Sequence, residues 1–474
     1  MSHSLKTVLL SVLIGCGPKP APVVAADPAP VATDGSEEWH GVVDVPAMPL
    51  KFTANLTSDG GGWSGVINIP MQGAVNVPLV EVASSPTDVR FVLEIPGAKS
   101  AVFEASRTGD AASGVLKQMG QEFPLTMRNG EPPEVTGPNR PQTPKGPFPY
   151  VVAEATYTHG DMTIGGTLTK PEGEGPFPAA LLITGSGAQD RDETIFAHKP
   201  FAVIADHLTR KGIAVLRVDD RGVGQTSGRG SDATSKDLVA DVLAGVTYLK
   251  NTDGIDPERI GLIGHSEGGI LGPQAAAEKK DDIAFVVMLA GTGLPGRDIL
   301  MMQGRTMYES SGTTGDELES LLELHAAALD ATPEARAEAV TALLKGQLTA
   351  QGMPTEGEQF EQMAEGAISS FASPWFESFV ALDPRVALKQ VKCPVLALNG
   401  SLDFQVPPEV NLTEIKKALV DNPDVTIQEF EGLNHLFQPA KTGLLDEYGE
   451  IETTIAPEVL EVVTDWIRAR TGLQ

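Results

Sequence analysis

A short apolar run, Ile260-Gly261-Leu262-Ile263, leads directly into Gly264-His265-Ser266-Glu267-Gly268. Gly-x-Ser-x-Gly between a strand and a helix demands a sharp turn, with glycine where the two backbones close on each other. Such an elbow holds the Ser266 hydroxyl at its apex and turns the Glu267 N–H toward the space where an oxyanion develops. A serine hydroxyl is a weak nucleophile alone, so the elbow predicts a base and an acid elsewhere in the chain.

After an elbow of this kind the acid comes next in the sequence and the histidine last. Of eight histidines only His435 lies beyond residue 325, in Gly432-Leu433-Asn434-His435, after the strand-like Val425–Phe430. It is the candidate general base. For the acid, Pro394-Val395-Leu396-Ala397-Leu398-Asn399-Gly400 reads as a buried parallel strand, and Asp403 follows its carboxyl end, where sites form in such sheets. Glu409, Asp421 and Asp424 compete with it but read as surface charges around the next helix. A second oxyanion donor is expected in Gly185-Ser186-Gly187-Ala188, after the strand Ala179–Thr184, with the Ser186 N–H first and Gly187 second.

Four blocks, Gly185-Ser186-Gly187-Ala188-Gln189-Asp190-Arg191-Asp192-Glu193, Asp219-Asp220-Arg221-Gly222-Val223-Gly224, Gly264–Gly269 and Gly432–His435, together resemble bacterial carboxylesterases of the α/β-hydrolase superfamily. The resemblance is to the serine-aminopeptidase-like or dienelactone-hydrolase-related branch and spans about residues 147–474. It implies a Ser-His-Asp triad at Ser266, His435 and Asp403 and hydrolysis of a small ester through an acyl-enzyme. True dienelactone hydrolases use a cysteine nucleophile, and serine at position 266 departs from that pattern. Peptidase or amidase activity is the alternative. A second is a surface-binding lipoprotein whose hydrolase fold is vestigial.

From Ala153 onward a hairpin around Gly160-Asp161 is followed by apolar strands alternating with amphipathic helices, which predicts an α/β fold, a mainly parallel sheet with helices on both faces. The pattern becomes wholly helical at about 292–383, predicting a helical cap, with Ser373-Pro374-Trp375-Phe376 as a candidate wall of an acyl pocket. The Met and Leu residues of this segment read as core between helices. The charged residues Asp190, Asp192, Asp219, Asp220 and Arg221 read as structural braces of the loops around the site. Gly222, Gly224 and Gly228 do not match dinucleotide-loop spacing, and no Cys/His cluster has ligand spacing, so neither a cofactor nor a metal is expected.

Upstream the character changes. Residues 37–136 carry short apolar or alternating runs broken by Gly, Pro, Asp and Ser, predicting a small all-β domain. Ser64-Gly65-Val66-Ile67 and Ser113-Gly114-Val115-Leu116, each followed by Met and then by Pro-Leu, hint at an internal repeat. Residues 137–149 read as a linker, and 150–474 as the hydrolase domain.

At the amino terminus, Lys6 precedes the apolar run Val8–Ile14, too short to span a bilayer but suited to a secretory signal. Leu13-Ile14-Gly15-Cys16 resembles a bacterial lipobox. It predicts a signal peptide at 1–15, lipidation at Cys16, a Pro/Ala-rich tether at 16–36, and anchorage in the bacterial cell envelope. Cys16 and Cys393 are the only cysteines, so no disulfide framework is expected. The formal net charge of -28 argues against nucleic acid as a partner, since phosphate binding needs a basic footprint.

Overall fold

The computed structural model describes residues 35–44, 50–58, 62–69, 74–94, 100–118, 121–130 and 139–473, and the chain divides into two compact units. Cys16, the apolar run before it and most of the Pro/Ala-rich tether lie outside the described residues. Among the described residues, no helix is long and apolar enough to cross a membrane.

The all-β unit consists of β1 (Ser36–Val43), β2 (Leu50–Ser58), β3 (Trp63–Ile69), β4 (Ala74–Ser84), β5 (Asp88–Leu93), β6 (Ala101–Thr108), β7 (Ala111–Gln118) and β8 (Gln121–Asn129). Each strand pairs antiparallel with the next, and β8 returns to β1, closing a barrel. Closure removes the exposed edges that short strands would otherwise present. Alternate residues point inward, as Leu50, Phe52, Ala54 and Leu56 do along β2. They meet Trp39, Ile67, Leu125 and the mutually packed rings of Phe52, Phe91 and Phe103. The Arg107 guanidinium lies 5.1 Å over the Trp39 ring and bonds Glu37, which also accepts the Trp39 indole N–H.

The short repeat noticed in the sequence has a structural counterpart. Gly65 pairs with Leu79 and Val66 with Pro78, while Gly114 pairs with Leu125 and Val115 with Pro124. Both glycines sit where a Cβ would strike the backbone of the preceding strand, at Asn55 O and Glu104 O. The two glycines therefore answer the same packing demand on strands four apart.

The larger unit is built on β9 (Tyr150–His159), β10 (Met162–Pro171), β11 (Phe177–Ile183), β12 (Ala214–Val218), β13 (Ile255–His265), β14 (Phe285–Leu289), β15 (Val395–Gly400) and β16 (Val425–Phe430). Their order in the sheet is β16-β15-β14-β13-β11-β12-β10-β9. The six strands β11–β16 are parallel, and the β9–β10 hairpin adds antiparallel strands at one edge. Parallel strands covered on both faces are apolar throughout, and successive residues serve opposite layers. Leu181, Leu262 and Val286 face helices α2 (Ser235–Lys250), α3 (Gly268–Glu278) and α10 (Pro408–Ala418), while Leu182, Ile263 and Val287 face α1 (Pro200–Arg210) and α11 (Pro457–Thr471).

Between β14 and β15 the chain inserts α4 (Gly296–Ser310), α5 (Gly315–Leu329), α6 (Pro333–Ala350), α7 (Glu358–Phe371), α8 (Pro374–Val380) and the short α9 (Pro384–Leu388). Their apolar residues bury one another: Met307, Leu318, Leu321 and Leu322 form one cluster, and Leu329, Val340, Leu343 and Phe371 another. This is the α/β-hydrolase fold with a helical insertion, preceded in the chain by an all-β unit.

Ordered contacts begin before β9. The Arg140 guanidinium donates to the carbonyls of Phe196, Gly449 and Ile451, and Gln142 bonds the backbone of Thr454 and Ile455. The segment read as linker from the sequence thus joins the hydrolase unit from residue 140.

Candidate active site

Ser266 stands at the carboxyl end of β13, in the middle of the sheet, with φ +52. A left-handed backbone at a non-glycine residue stores strain, and here the crossing of strand and helix leaves no alternative. A Cβ on Gly264 would strike the Gly268 carbonyl, and one on Gly268 would strike the Ile183 carbonyl. The Ser266 N–H is fixed on Leu289 O at 2.9 Å, tying the elbow to the end of β14.

Asp403 follows β15 in a turn closed by its own N–H on Gly400 O. Its Oδ1 accepts the N–H groups of Gln405 and Val406, at 2.9 and 2.8 Å, which aims Oδ2 at His435 Nδ1 across 2.7 Å. Both side chains are buried. The His435 loop is shaped by Asn434, whose Oδ1 accepts the N–H groups of Leu436 and Gln438, and by Gly400, where a Cβ would strike Leu433 O. The structure therefore brings Asp403 to His435, at the same end of the sheet as Ser266. It places the competing carboxylates elsewhere: Glu409 and Asp421 are exposed, and Asp424 pairs with Arg470 at 2.6 Å.

The loop after β11 passes close by the elbow, since a Cβ on Gly185 would lie 3.3 Å from the Ser266 Cβ. The Gly185 N–H is already engaged by Glu193 Oε1 at 2.7 Å. Among the described residues, the N–H groups of Ser186 and Glu267 have no backbone acceptor, which leaves both available to an oxyanion.

The charged residues of the surrounding loops are all engaged within the protein. Asp219 takes the Arg191 guanidinium and backbone N–H, Asp192 takes Arg217 and Lys199, and Asp190 accepts the N–H groups of Asp192 and Thr194. Arg221 pairs with Asp241 at 2.6 Å. Asp220 accepts Thr184 Oγ1 and the Gln189 N–H, at 2.7 and 2.8 Å, and burial pushes its carboxyl up to about 8. Asp190, Asp219 and Asp220 thus brace the segment after β11, while Arg221 is tied to the helix Ser235–Lys250.

The side chain of Glu267 turns away from solvent into the helical insertion, where its Oε1 accepts the Trp375 indole N–H at 2.9 Å. Burial pushes the carboxyl up to about 7, against the pull of that hydrogen bond. Trp375, on α8, thereby reaches the residue next to Ser266, and its ring stacks on Phe379 at 5.5 Å.

Two buried residues that the sequence reading left without a role also touch this site. Glu193 Oε1 lies 3.0 Å from His265 Nδ1, and His265 Nε2 lies 3.0 Å from the His435 carbonyl. The only hints in the sequence were a histidine at a variable motif position and the last acid of a charged run. Among the described residues, no group of three or more His, Cys, Asp or Glu is arranged to hold a metal ion.

The family described as serine aminopeptidase, S33 (Hydrolase_4) matches residues 198–313, a stretch that includes the elbow and ends before Asp403 and His435. The chain is 30% identical over 292 residues to the esterase EstD of Thermotoga maritima, a match covering 61% of this chain and 62% of that protein. It is 30% identical over 120 residues to the multifunctional-autoprocessing repeats-in-toxin protein of Vibrio cholerae, covering 25% of this chain and 2% of the toxin. The chain thus spans less than two thirds of either relative. Among solved structures it is similar to the Pyrococcus furiosus esterase PF2001, with a TM-score of 0.42 and 16% identity over 70% of this chain and 97% of that one.

Proposed function

We propose that this chain is a serine hydrolase that cleaves carboxylic esters through an acyl-enzyme. The contact between His435 Nδ1 and Asp403 Oδ2, at the same end of the sheet as the strained Ser266, carries this reading. Ser266 Oγ attacks the ester carbonyl while His435 Nε2 takes its proton. Asp403 holds Nδ1 protonated and stabilises the imidazolium. The N–H groups of Glu267 and Ser186 receive the oxyanion. His435 then gives its proton to the departing alcohol, and a water activated by the same nitrogen releases the acid. The resemblance to EstD supports ester over amide, whereas the S33 family description keeps an aminoacyl substrate as the second reading.

The test is a panel of acyl esters and aminoacyl amides turned over by wild type and by Ser266→Ala. Ester hydrolysis that falls by about five to six orders of magnitude in the variant supports the proposal. Hydrolysis of amides alone favours the peptidase reading, and no turnover by wild type favours a vestigial site. The lipobox-like Leu13–Cys16 supports a further part of the same proposal, that the enzyme works while lipid-anchored in the cell envelope.

A further inference from the structure

We propose that Glu193 and His265 form a buried positioning unit that holds the oxyanion loop and the His435 loop in register with Ser266. The inference rests on the serine-hydrolase reading above and concerns residues that neither attack nor transfer a proton.

Both ring nitrogens of His265 face acceptors: Nδ1 faces the Glu193 carboxylate and Nε2 the His435 carbonyl, each at 3.0 Å. A neutral imidazole has one N–H and would set a lone pair against one of these oxygens, so the arrangement calls for the doubly protonated ring. Burial opposes that charge, but the Glu193 carboxylate and the carbonyl outweigh it and raise the affinity of His265 for its second proton. Glu193 in turn is 4% exposed, has a left-handed backbone at φ +52, and its carboxylate is held inside by the Gly185 N–H and the His265 ring.

The pair has a contact to each catalytic part. Through Glu193 Oε1 it fixes the Gly185 N–H at the base of the oxyanion loop. Through its backbone His265 is the residue before Ser266. Through Nε2 it grips the peptide carbonyl of His435 itself, with the two imidazole rings 4.8 Å apart. Asp403 fixes the His435 ring at Nδ1, which leaves its main chain to be held by other means. His265 holds the carbonyl, and the Tyr448 hydroxyl also bonds the His435 backbone.

The two carboxamide replacements of His265 separate positioning from stability. Asn puts its amide nitrogen near the place of Nδ1 and keeps Glu193 while losing the His435 carbonyl. Gln puts its amide nitrogen near Nε2 and keeps the carbonyl. With a small ester, His265→Asn is expected to lose about 50-fold in kcat with KM within about 3-fold, as a base displaced by a fraction of an ångström would. His265→Gln is expected to stay within about 5-fold of wild type. Phosphonylation of Ser266 by a fluorophosphonate should slow in step with kcat, because it needs the same base.

Glu193→Gln, which keeps the acceptor for Gly185 but removes the charge, supplies a second variant and should also lower kcat with little change in KM. Equal kcat in the Asn and Gln variants, or losses that follow melting temperature alone, overturn the proposal while leaving Ser266 as nucleophile. Activity that survives Ser266→Ala refutes the serine mechanism itself, and with it this inference.

Discussion

His435 Nδ1 lies 2.7 Å from Asp403 Oδ2, and the other carboxylate oxygen is occupied by two backbone N–H groups. Asp403→Asn can still accept from the backbone through its amide oxygen, but its nitrogen would face His435 and select the wrong tautomer. We expect kcat to fall by about four orders of magnitude with folding intact, whereas Asp424→Asn should keep activity and lose only its pairing with Arg470. Ester kinetics and thermal melts of the two variants check this, and an inactive Asp424→Asn would refute the assignment.

Ser266 is held at φ +52, where glycine is at ease and serine is not. Ser266→Gly should therefore melt higher than wild type, by an amount equivalent to about 1 kcal/mol, while losing all covalent catalysis. A glycine variant less stable than Ser266→Ala would show that the turn is not strained.

The Glu267 carboxyl titrates at about 7 in the folded protein, above its ordinary value of 4.5, because it is buried beside Trp375. Its contribution to stability is therefore full below about pH 4.5 and is lost as pH rises through about 7, amounting to about 3 kcal/mol at most. Glu267→Gln keeps an acceptor for the indole and removes the titration. The difference in melting temperature between variant and wild type should grow in favour of the variant from about pH 5 to about pH 8. A difference independent of pH would contradict this.

The Arg140 guanidinium satisfies three carbonyls, two of them more than 300 residues away. A fragment beginning at residue 139 should fold cooperatively and hydrolyse a soluble ester. One beginning at Pro147 loses Arg140 and Gln142 and should melt markedly lower. Arg140→Ala in the full chain is expected to cost about 2 kcal/mol, since charged hydrogen bonds to three partly buried carbonyls are lost. Equal melts for the two fragments would show that the contacts contribute nothing.

Expressed in a bacterium with lipoprotein processing, the full chain should partition with membranes and carry lipid at Cys16, and Cys16→Ser should release or mistarget it. Mass spectrometry of the mature amino terminus decides between acylation and plain cleavage.

Much of the hydrolase unit was legible in the sequence because buried parallel strands are continuous apolar runs, and the elbow combines glycine spacing with a serine. Asp403 and His435 could be named from their position after such runs. The Glu193–His265 pair could not, because the two lie 72 residues apart and only the sheet brings them together. The all-β unit was legible as short strands, and even its repeat could be seen. Its closure could not, since strands such as Ala101–Thr108 alternate small, polar and apolar residues and carry no sign of which partner lies beside them. The early start of the hydrolase unit was hidden for a similar reason: a Pro-rich stretch gives no hint that one arginine within it reaches the far end of the chain.

The three phenylalanines at the centre of the barrel have a consequence for what that unit can be. Phe52, Phe91 and Phe103 occupy the inside together with Trp39, Leu56, Ile67 and Leu125, so the described interior is a solid plug rather than a cup. Cutting back any one of these rings would open a void against several strands at once, so the closure of the barrel rests on all three together.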